Sequence, residues 1–271
     1  MRLPCGIITA FARVGWDSQE VNYTTVSARD GDVNGSINIS KHSFLEVNSD
    51  FYATYQKNFN KIGLTVNIGG NRRYNESNYL STVGNGFVTY HSTNLNNTES
   101  RESYAHTQKR ALNSIYSSVQ LSYDNYLFLD ITGRNDWSST LPTKNNSFFY
   151  PSYNLGFVVT DAFDGLKSNI LQYAKLRASY AEVGNDLDPY TINTYYNYGT
   201  DAQGRLAASV KNTVGNDNLV AETNKSIEFG ADVRLLENRI GLDFSWYKSS
   251  TEDQIIANYP QAVSTGFTSL L

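Results

Sequence analysis

The chain has 271 residues, of which 40% are apolar and 18% are charged, and its 22 basic and 26 acidic side chains give a formal charge of −4. This balance offers no basic field to a polyanion, so it disfavours nucleic acid as a partner. One Cys, one Met and five Pro beside 20 Tyr and 13 Phe argue against an all-helical or disulfide-framed fold and favour strands. No run of about 18 apolar residues is present, which excludes a membrane-spanning helix.

A membrane-spanning β-barrel is compatible with this composition, because transmembrane strands carry apolar residues only on the face that meets lipid. Residues 1–33 show no pattern that defines an element. Within them, Met1–Ala12 has a short apolar stretch, but Pro4 and the brevity of the stretch make a poor signal peptide. DGDVNG at residues 30–35 matches the opening of a calcium loop, but Lys41 stands where Glu is required, so a Gly-rich turn is favoured.

Three pairs of segments alternate apolar and polar residues across short turns, which predicts three β-hairpins of one design. The clearest strand is Ser226–Leu235, in which Ile227, Phe229 and Val233 alternate with polar residues. The paired segments are Phe51–Tyr55 with Ile62–Gly69, Asn113–Tyr123 with Leu127–Asp136, and Ser226–Leu235 with Ile240–Tyr247. Each hairpin is therefore expected to have one apolar and one polar face.

Further strands are predicted at Phe148–Thr160 and Leu171–Val183, for about ten strands in all. The connections within the hairpins are short, whereas Tyr74–Ser103, Ser138–Ser147 and Gly184–Leu219 are long and polar. Outer-membrane barrels alternate short periplasmic turns with long external loops in this way. Aromatic residues near strand ends suit the girdles at the bilayer interfaces, or alternatively cross-strand packing in a soluble sheet. These residues are Tyr123, Tyr126, Trp137, Phe148, Phe149, Tyr150 and Trp246.

Several stretches in a fixed order resemble the SusC/RagA family of TonB-dependent outer-membrane transporters. The stretches are GRNDWSSTLP at Gly133–Pro142, FFYPSYNLGF at Phe148–Phe157, KLRASYAEVGND at Lys175–Asp186, NLVAETNKSIEFGAD at Asn218–Asp232 and STGFTS at Ser264–Ser269. The resemblance covers most of the chain from about Asn34 onward, and the ordered set is specific although each piece alone is weak. One departure is Ala181, where the family pattern has Gly.

The resemblance implies an all-β fold, an antiparallel transmembrane β-barrel of about 22 strands, plugged by an N-terminal domain and opened by energy relayed through TonB. We therefore expect residues 1–33 to be a poorly defined segment and residues 34–271 to be a partial barrel, with the plug and the C-terminal strands absent. The implied function is import of glycans or oligopeptides across the Gram-negative outer membrane. The implied partners are a SusD-like surface lipoprotein, the TonB system, the ligand and the lipid bilayer.

A soluble or surface-anchored β-sandwich, acting as an adhesin or glycan-binding module, is the competing interpretation, and it explains the Tyr, Asn and Gly usage equally well. It does not explain apolar faces that would point outward on consecutive hairpins together with alternating short and long connections. A sheet of about ten strands also leaves two unpaired edges, so we expect residues 1–271 alone to misfold or aggregate unless other strands complete them.

No catalytic, metal or cofactor site is predicted. His42, His91 and His106 lack metal-ligand spacing. Asp186 and Asp188 could in principle act as a pair of catalytic carboxylates in glycoside hydrolysis, but acids in a long loop are usually solvated or ligate an ion. The resemblance instead points to the polar face, whose charges would hold a plug or merely pair across strands. The face carries Asp130, Arg134, Asp136, Lys175, Arg177, Glu228, Asp232, Arg234 and Asp243. Candidates for stacking on a ligand in the loops are Trp137, Tyr190, Tyr195, Tyr196 and Tyr198.

Overall fold

A computed structural model of the chain describes residues 6–27, 34–89, 92–201, 203–256 and 259–270. Nine strands form one sheet in the order β1-β2-β3-β4-β5-β6-β7-β11-β12. They are β1 (Ile7–Ser27), β2 (Ser36–Phe59), β3 (Ile62–Phe87), β4 (Thr98–Tyr123), β5 (Leu127–Ser138), β6 (Ser147–Val158), β7 (Leu171–Asn185), β11 (Glu222–Leu235) and β12 (Ile240–Glu252). The neighbouring pairs from β4 to β12 are antiparallel. The all-β antiparallel prediction is confirmed.

The remaining elements are short. A small antiparallel hairpin consists of β8 (Tyr196–Thr200) and β9 (Leu206–Val210), and a three-stranded sheet joins β10 (Thr213–Val214), β14 (Ser269–Leu270) and β13 (Tyr259–Pro260). Single helical turns lie at Leu95–Asn97, Asp164–Leu166 and Val263–Thr265, and α1 spans Val159–Ala162. Within the described ranges, no helix is long and apolar enough to cross a membrane.

The three predicted hairpins are present, and their turns need left-handed backbone. Asn60 has a φ of 54° between β2 and β3, and Asp124 and Asn125 have φ of 46° and 60° between β4 and β5. Asn and Asp tolerate this conformation because their short polar side chains bond locally. Lys61 Nζ lies 2.5 Å from Asp124 Oδ2, and the backbone N–H of Asp124 donates to Lys61 O at 2.7 Å. These contacts join the β2–β3 turn to the β4–β5 turn.

Two parts of the chain differ from the sequence expectation. Tyr74–Ser103 is not a long loop, because β3 continues to Phe87 and β4 already begins at Thr98. Its residues are polar on both faces, so the period-2 pattern that reveals a half-buried strand is missing. Ile7–Ser27 is likewise a strand within the segment 1–33. It escaped prediction because apolar residues occupy both parities of its first half.

From β4 to β12 the sheet has a continuous apolar face. The apolar row, defined as Leu121, Leu129, Leu155, Ala178, Phe229 and Trp246, runs in register across six strands from β4 to β12. Side chains on this face stay open to the surroundings: Ile115 is 58% exposed, Phe229 52% and Phe244 67%. So large an exposed apolar surface marks contact with lipid or with another protein.

The chain divides into two compact units. The first comprises Met1–Arg13, Asp50–Asn71 and Leu112–Leu271, and it contains the apolar row; the second comprises Val14–Ser49 and Arg72–Ala111. Polar side chains bind the second unit together: Asn75 donates to Glu46 at 2.7 Å and Tyr74 to Glu76 at 2.7 Å.

Candidate functional site

The polar candidates lie on the face opposite the apolar row. Asp130 pairs in register with Asn154, Asn154 with Ser179, and Ser179 with Glu228. Because side chains alternate between the two faces of a strand, this polar row runs directly beside the apolar row but points the other way. The structure therefore brings the charged candidates of β5, β7, β11 and β12 onto one surface of the first unit.

A second row on the same face gathers charges of both signs. Asp232 pairs in register with Lys175 on one side and with Asp243 on the other. Like charges directly opposite each other are destabilising, but Arg177 reaches Asp243, with Nη2–Oδ1 at 2.5 Å and Nη1–Oδ2 at 3.3 Å. Its Nη2 also donates to Ser245 Oγ at 2.8 Å. Arg177 of β7 thus neutralises Asp243 of β12, whereas Lys175 lies in register with Asp232 without forming an ion pair.

Gly230 makes the reach of Arg177 possible. The two residues are register partners, and a Cβ on Gly230 would lie 2.3 Å from Nε and 2.7 Å from Cγ of Arg177. The arginine therefore crosses β11 through the space that any other residue would fill. This glycine is needed for a close side-chain approach, and the sequence pattern alone showed it only as one of several glycines among polar positions.

Asp136 is the buried centre of a second network, with only 4% of the residue exposed. Its Oδ1 accepts from Arg134 Nε at 2.8 Å and its Oδ2 from the Tyr150 hydroxyl at 2.6 Å. Arg134 Nη2 also donates to Ser114 Oγ at 2.9 Å. The network ties β4, β5 and β6 together through side chains. The charges of Arg134 and Asp136 therefore neutralise each other within the sheet.

Aromatic rings on the same face, which were not among the predicted site residues, extend this network. The ring centroids of Phe11 and Tyr52 are 5.4 Å apart, and those of Tyr52 and Tyr116 are 6.3 Å apart. The Arg134 guanidinium carbon lies 5.9 Å from the Tyr116 ring centroid. The Tyr52 and Tyr116 rings share a niche of about 460 Å³ with Tyr150. Alternation along the strand could have placed Tyr116 on this face, since it falls among the polar positions of β4.

A cleft of about 270 Å³ opens on the polar face among Asp130, Lys175, Arg177 and Glu228. In the part of the chain that the structure describes, no hydrogen bond or ion pair engages the side chains of Asp130, Lys175 or Glu228. The remaining candidate, Arg234, lies with its guanidinium carbon 5.4 Å from the ring centroid of Tyr173. The cleft thus presents one free cation and two free carboxylates among these described residues.

Asp186 holds two loops together. It accepts hydrogen bonds from the hydroxyls of Ser138 and Thr140, the latter at 3.0 Å. Ser138 is 1% exposed and Thr140 is 2% exposed, so the tie is shielded from water. These residues come from two of the stretches that carry the family resemblance, GRNDWSSTLP and KLRASYAEVGND. Their geometry gives Asp186 a structural role at the base of the long connection that follows β7.

The aromatic candidates separate into three places. Trp137 is not a loop residue: it lies in β5 opposite Asn113, on the apolar face, as alternation with Leu129 and Ile131 requires. Tyr195 lies in the connection after β7, with its ring centroid 5.0 Å from Lys211 Nζ.

Tyr196 and Tyr198 belong to β8, and they are 64% and 77% exposed, respectively. Tyr190 precedes them, with a φ of 64°. The small hairpin of β8 and β9 is closed by Arg205, whose Nη2 lies 2.7 Å from Asp201 Oδ2. The hydrogen bond from Arg205 lowers the pKa of Asp201, so this closure is intact at neutral pH and weakens only when acid protonates the carboxylate. Two of the tyrosines are thus held on a structured hairpin.

The two histidines that the structure describes contact other side chains. His42 Nε2 lies 2.9 Å from Ser77 Oγ, and the ring of His106 stacks on Tyr104 at a centroid distance of 6.3 Å. Among the described residues, no group of three or more His, Cys, Asp or Glu side chains could hold an ion. Asp30, Asp32 and His91 lie outside the described residues.

Replacing Asp136 with Asn tests the buried network. The change leaves Arg134 without its anionic partner. Removing one member of a buried ion pair lowers the free energy of unfolding by about 3–5 kcal/mol. Because Arg134 is partly exposed to solvent, we expect a smaller loss of about 2 kcal/mol. Gln120→Ala, at an exposed position on the same face in register with Asp130, is the control and is expected to change stability little. Chemical unfolding of the full-length protein in detergent measures both. Equal midpoints for the two variants would contradict the assigned role of Asp136.

Replacing Gly230 with Ala tests the crossing arginine. The new methyl group displaces Arg177 from its route to Asp243, and because this pair is partly exposed to solvent we expect a loss of about 1 kcal/mol. Gly241→Ala is the control, since a Cβ there meets no atom within 4 Å. Unfolding midpoints of the two variants in the full-length protein give the comparison. An unchanged unfolding midpoint for Gly230→Ala would show that the passage of Arg177 over Gly230 contributes nothing to stability.

Sequence comparison gives one family. The model of the family described as "TonB dependent receptor-like, beta-barrel" matches residues 9–269. TonB-dependent receptor P3 of Formosa agariphila is 28% identical over 248 residues, which cover 85% of this chain and 24% of that receptor. TonB-dependent receptor P39 of the same organism is 22% identical over 253 residues, or 91% of this chain and 24% of the relative. The chain thus spans about a quarter of the length of these relatives.

Structure comparison gives the same fold. The structure of the RagAB peptide transporter matches with a TM-score of 0.86 at 21% identity, over 97% of this chain and 30% of the matched chain. The "open-open" state of the RagAB peptide importer matches with a TM-score of 0.74. At this identity the likeness concerns the fold, and the match of the family model decides the family. The chain therefore belongs to the TonB-dependent receptor β-barrels of the Gram-negative outer membrane.

Proposed function

We propose that the chain forms part of the barrel wall of a SusC-like TonB-dependent importer of glycans or oligopeptides. The observation that carries this proposal is the pair of neighbouring rows in one sheet, an exposed apolar row and a polar row on the opposite face. A strand wall between lipid and a hydrated interior requires this arrangement. The competing β-sandwich would bury its apolar faces between two sheets, whereas nine strands here form one sheet.

In this proposal the whole protein captures its ligand at the external side, and energy relayed by TonB displaces a plug domain. The ligand then passes along the polar interior. Residues 34–271 belong to the barrel, and β1 extends the same wall toward the N-terminus. The plug and the strands that close the barrel are supplied by the rest of a protein several times longer, in keeping with the coverage of the relatives.

The polar face divides into two functional classes under this proposal. Arg134 with Asp136, and Arg177 with Asp243, are braces of the wall because their charges are satisfied between neighbouring strands. Asp130, Lys175 and Glu228 line the cleft without such pairs, so we assign them to contacts with the plug. Charge-assisted hydrogen bonds there would hold a plug of complementary sign and would break when it moves.

The hairpin of β8 and β9 fits contact with an external partner. Tyr196 and Tyr198 share one face with Ala208 and Val210, and the exposed tyrosines offer flat apolar surfaces with a polar edge. We propose that this face meets the ligand or a SusD-like lipoprotein at the external side. Tyr190 and Tyr195 lie in the same connection, whereas Trp137 is assigned to the lipid-facing girdle instead of the ligand.

Uptake by cells that produce the full-length protein tests the proposal. The probes are fluorescent oligopeptides and fluorescent maltooligosaccharides, and the host carries an intact or a deleted TonB system. We expect accumulation of one probe class that disappears without TonB or after the membrane potential is collapsed. Uptake that is independent of TonB, or a gene product that stays in buffer without detergent, would contradict the assignment.

Placing a charge on the apolar face tests its contact with lipid. Phe244 lies in the middle of the outward residues of β12, and Arg at such a position costs about 2–4 kcal/mol near the bilayer midplane. We therefore expect Phe244→Arg to lower the free energy of unfolding of the full-length protein in lipid vesicles by that amount. Tyr247→Arg, on the opposite face and in register with Glu228, serves as the control. A loss of similar size in both variants would argue against a lipid-facing surface.

A further inference from the structure

The connection between β6 and β7, residues 159–170, exposes three large apolar side chains. Phe163 is 57% exposed, Leu166 45% and Ile170 66%. Turns at the ends of strands ordinarily expose polar groups, because water satisfies their backbone. Three exposed apolar side chains in a dozen residues are therefore a feature that needs a partner surface.

The connection is held in place by hydrogen bonds. The Thr160 hydroxyl accepts from the Ala174 N–H at 3.2 Å, and Thr160 is 0% exposed. The Val158 N–H donates to Tyr126 O at 2.7 Å, and the Leu236 N–H donates to Ile170 O at 2.9 Å. The β4–β5 and β11–β12 turns thus fix both ends of the connection, so its apolar side chains have a defined position.

A chain of edge-to-face rings links the connection to the apolar face. Phe163 lies 6.4 Å from Phe157, Phe157 lies 6.1 Å from Tyr126, and Tyr126 lies 5.4 Å from Tyr123, all between ring centroids. Phe157 is in register with Leu127 and with Leu176, which places it on the apolar face. Phe163 therefore continues the lipid-facing surface beyond the last residue of β6.

The charges around these rings are two ion pairs and the carboxylate of Asp164, so they carry no positive excess. Lys167 Nζ lies 2.7 Å from Asp161 Oδ1 within the connection, and Lys61 pairs with Asp124 at the neighbouring turn. Aromatic rings next to neutralised charges suit the zone between acyl chains and headgroups. They fit a zwitterionic phospholipid, which offers both an anionic and a cationic group. No excess positive charge calls for an anionic lipid.

We propose that the β6–β7 connection is an interfacial membrane anchor, in which Phe163 and Leu166 enter the boundary between acyl chains and headgroups of the periplasmic leaflet. The Asp161–Lys167 pair lies at the headgroup level, and zwitterionic phospholipid covers the rings. The short turns of such barrels lie on the periplasmic side, which identifies the leaflet. The inference rests on the outer-membrane placement of the barrel, and it adds a lipid contact made by a connection instead of a strand.

Nitroxide labels in the full-length protein, reconstituted in phosphatidylcholine vesicles, test the anchor. Single cysteines replace Phe163 and Leu166 in a background without other cysteines, including Cys5→Ser. Phe229→Cys is the lipid-facing reference, and Gly165→Cys is the matched control, since a Cβ at Gly165 meets no atom within 4 Å. Collision rates with oxygen, which partitions into lipid, and with a water-soluble nickel chelate are compared for each label.

We expect the ratio of oxygen to nickel collisions at positions 163 and 166 to exceed that at position 165 several-fold and to approach that at position 229. A ratio at 163 and 166 equal to that at 165 would place the connection in water and overturn the anchor while position 229 still reports lipid. Low collision rates with both reagents would reveal a protein partner and would also overturn it. Water contact at position 229 itself would remove the lipid-facing wall, and with it both the proposed function and the anchor.

Discussion

A polypeptide in hydrocarbon can leave no backbone amide unpaired, because each unsatisfied group there costs several kcal/mol. Inside this sheet the requirement is met by pairing each strand with its sequence neighbour, apart from the step from β7 to β11, while the outer edges of β1 and β12 have no partner strand among the described residues. The long connection between β7 and β11 stays outside the ladder and carries its own hairpin. Continuous pairing fixes the register, and the register in turn sorts side chains by face. The separation of Leu155 from Asn154, and of Phe229 from Glu228, follows from that sorting.

The periodicity of the sequence was sufficient to predict a strand where one of its faces meets an apolar medium and the other does not. Ser226–Leu235 and Asn113–Tyr123 were predicted closely for this reason, and the turns at Asp124 and Asn125 followed from residue type. Ile7–Ser27 and the far ends of β3 and β4 were missed, since their side chains do not alternate in polarity. Hydrogen bonding to neighbouring strands, which no local pattern records, makes these segments strands.

The candidate site shows a similar division. Parity placed nine charged residues on one face, but it could not distinguish Asp136, which is buried by Tyr150 from the next strand, from Asp130, which borders an open cleft. Nor could it reveal that Arg177 passes over Gly230, because that contact depends on three strands being in register. Trp137 was predicted to be a loop residue. It lies in β5 instead, at a position that alternation places with the lipid-facing side chains.

The register of the β11–β12 hairpin has a consequence for how its strands pair. On its own this hairpin sets the like charges of Asp232 and Asp243 against each other. In the sheet, β7 brings Arg177 to Asp243 and places Lys175 in register with Asp232. Pairing of β11 with β12 at this position is therefore electrostatically coupled to the presence of β7.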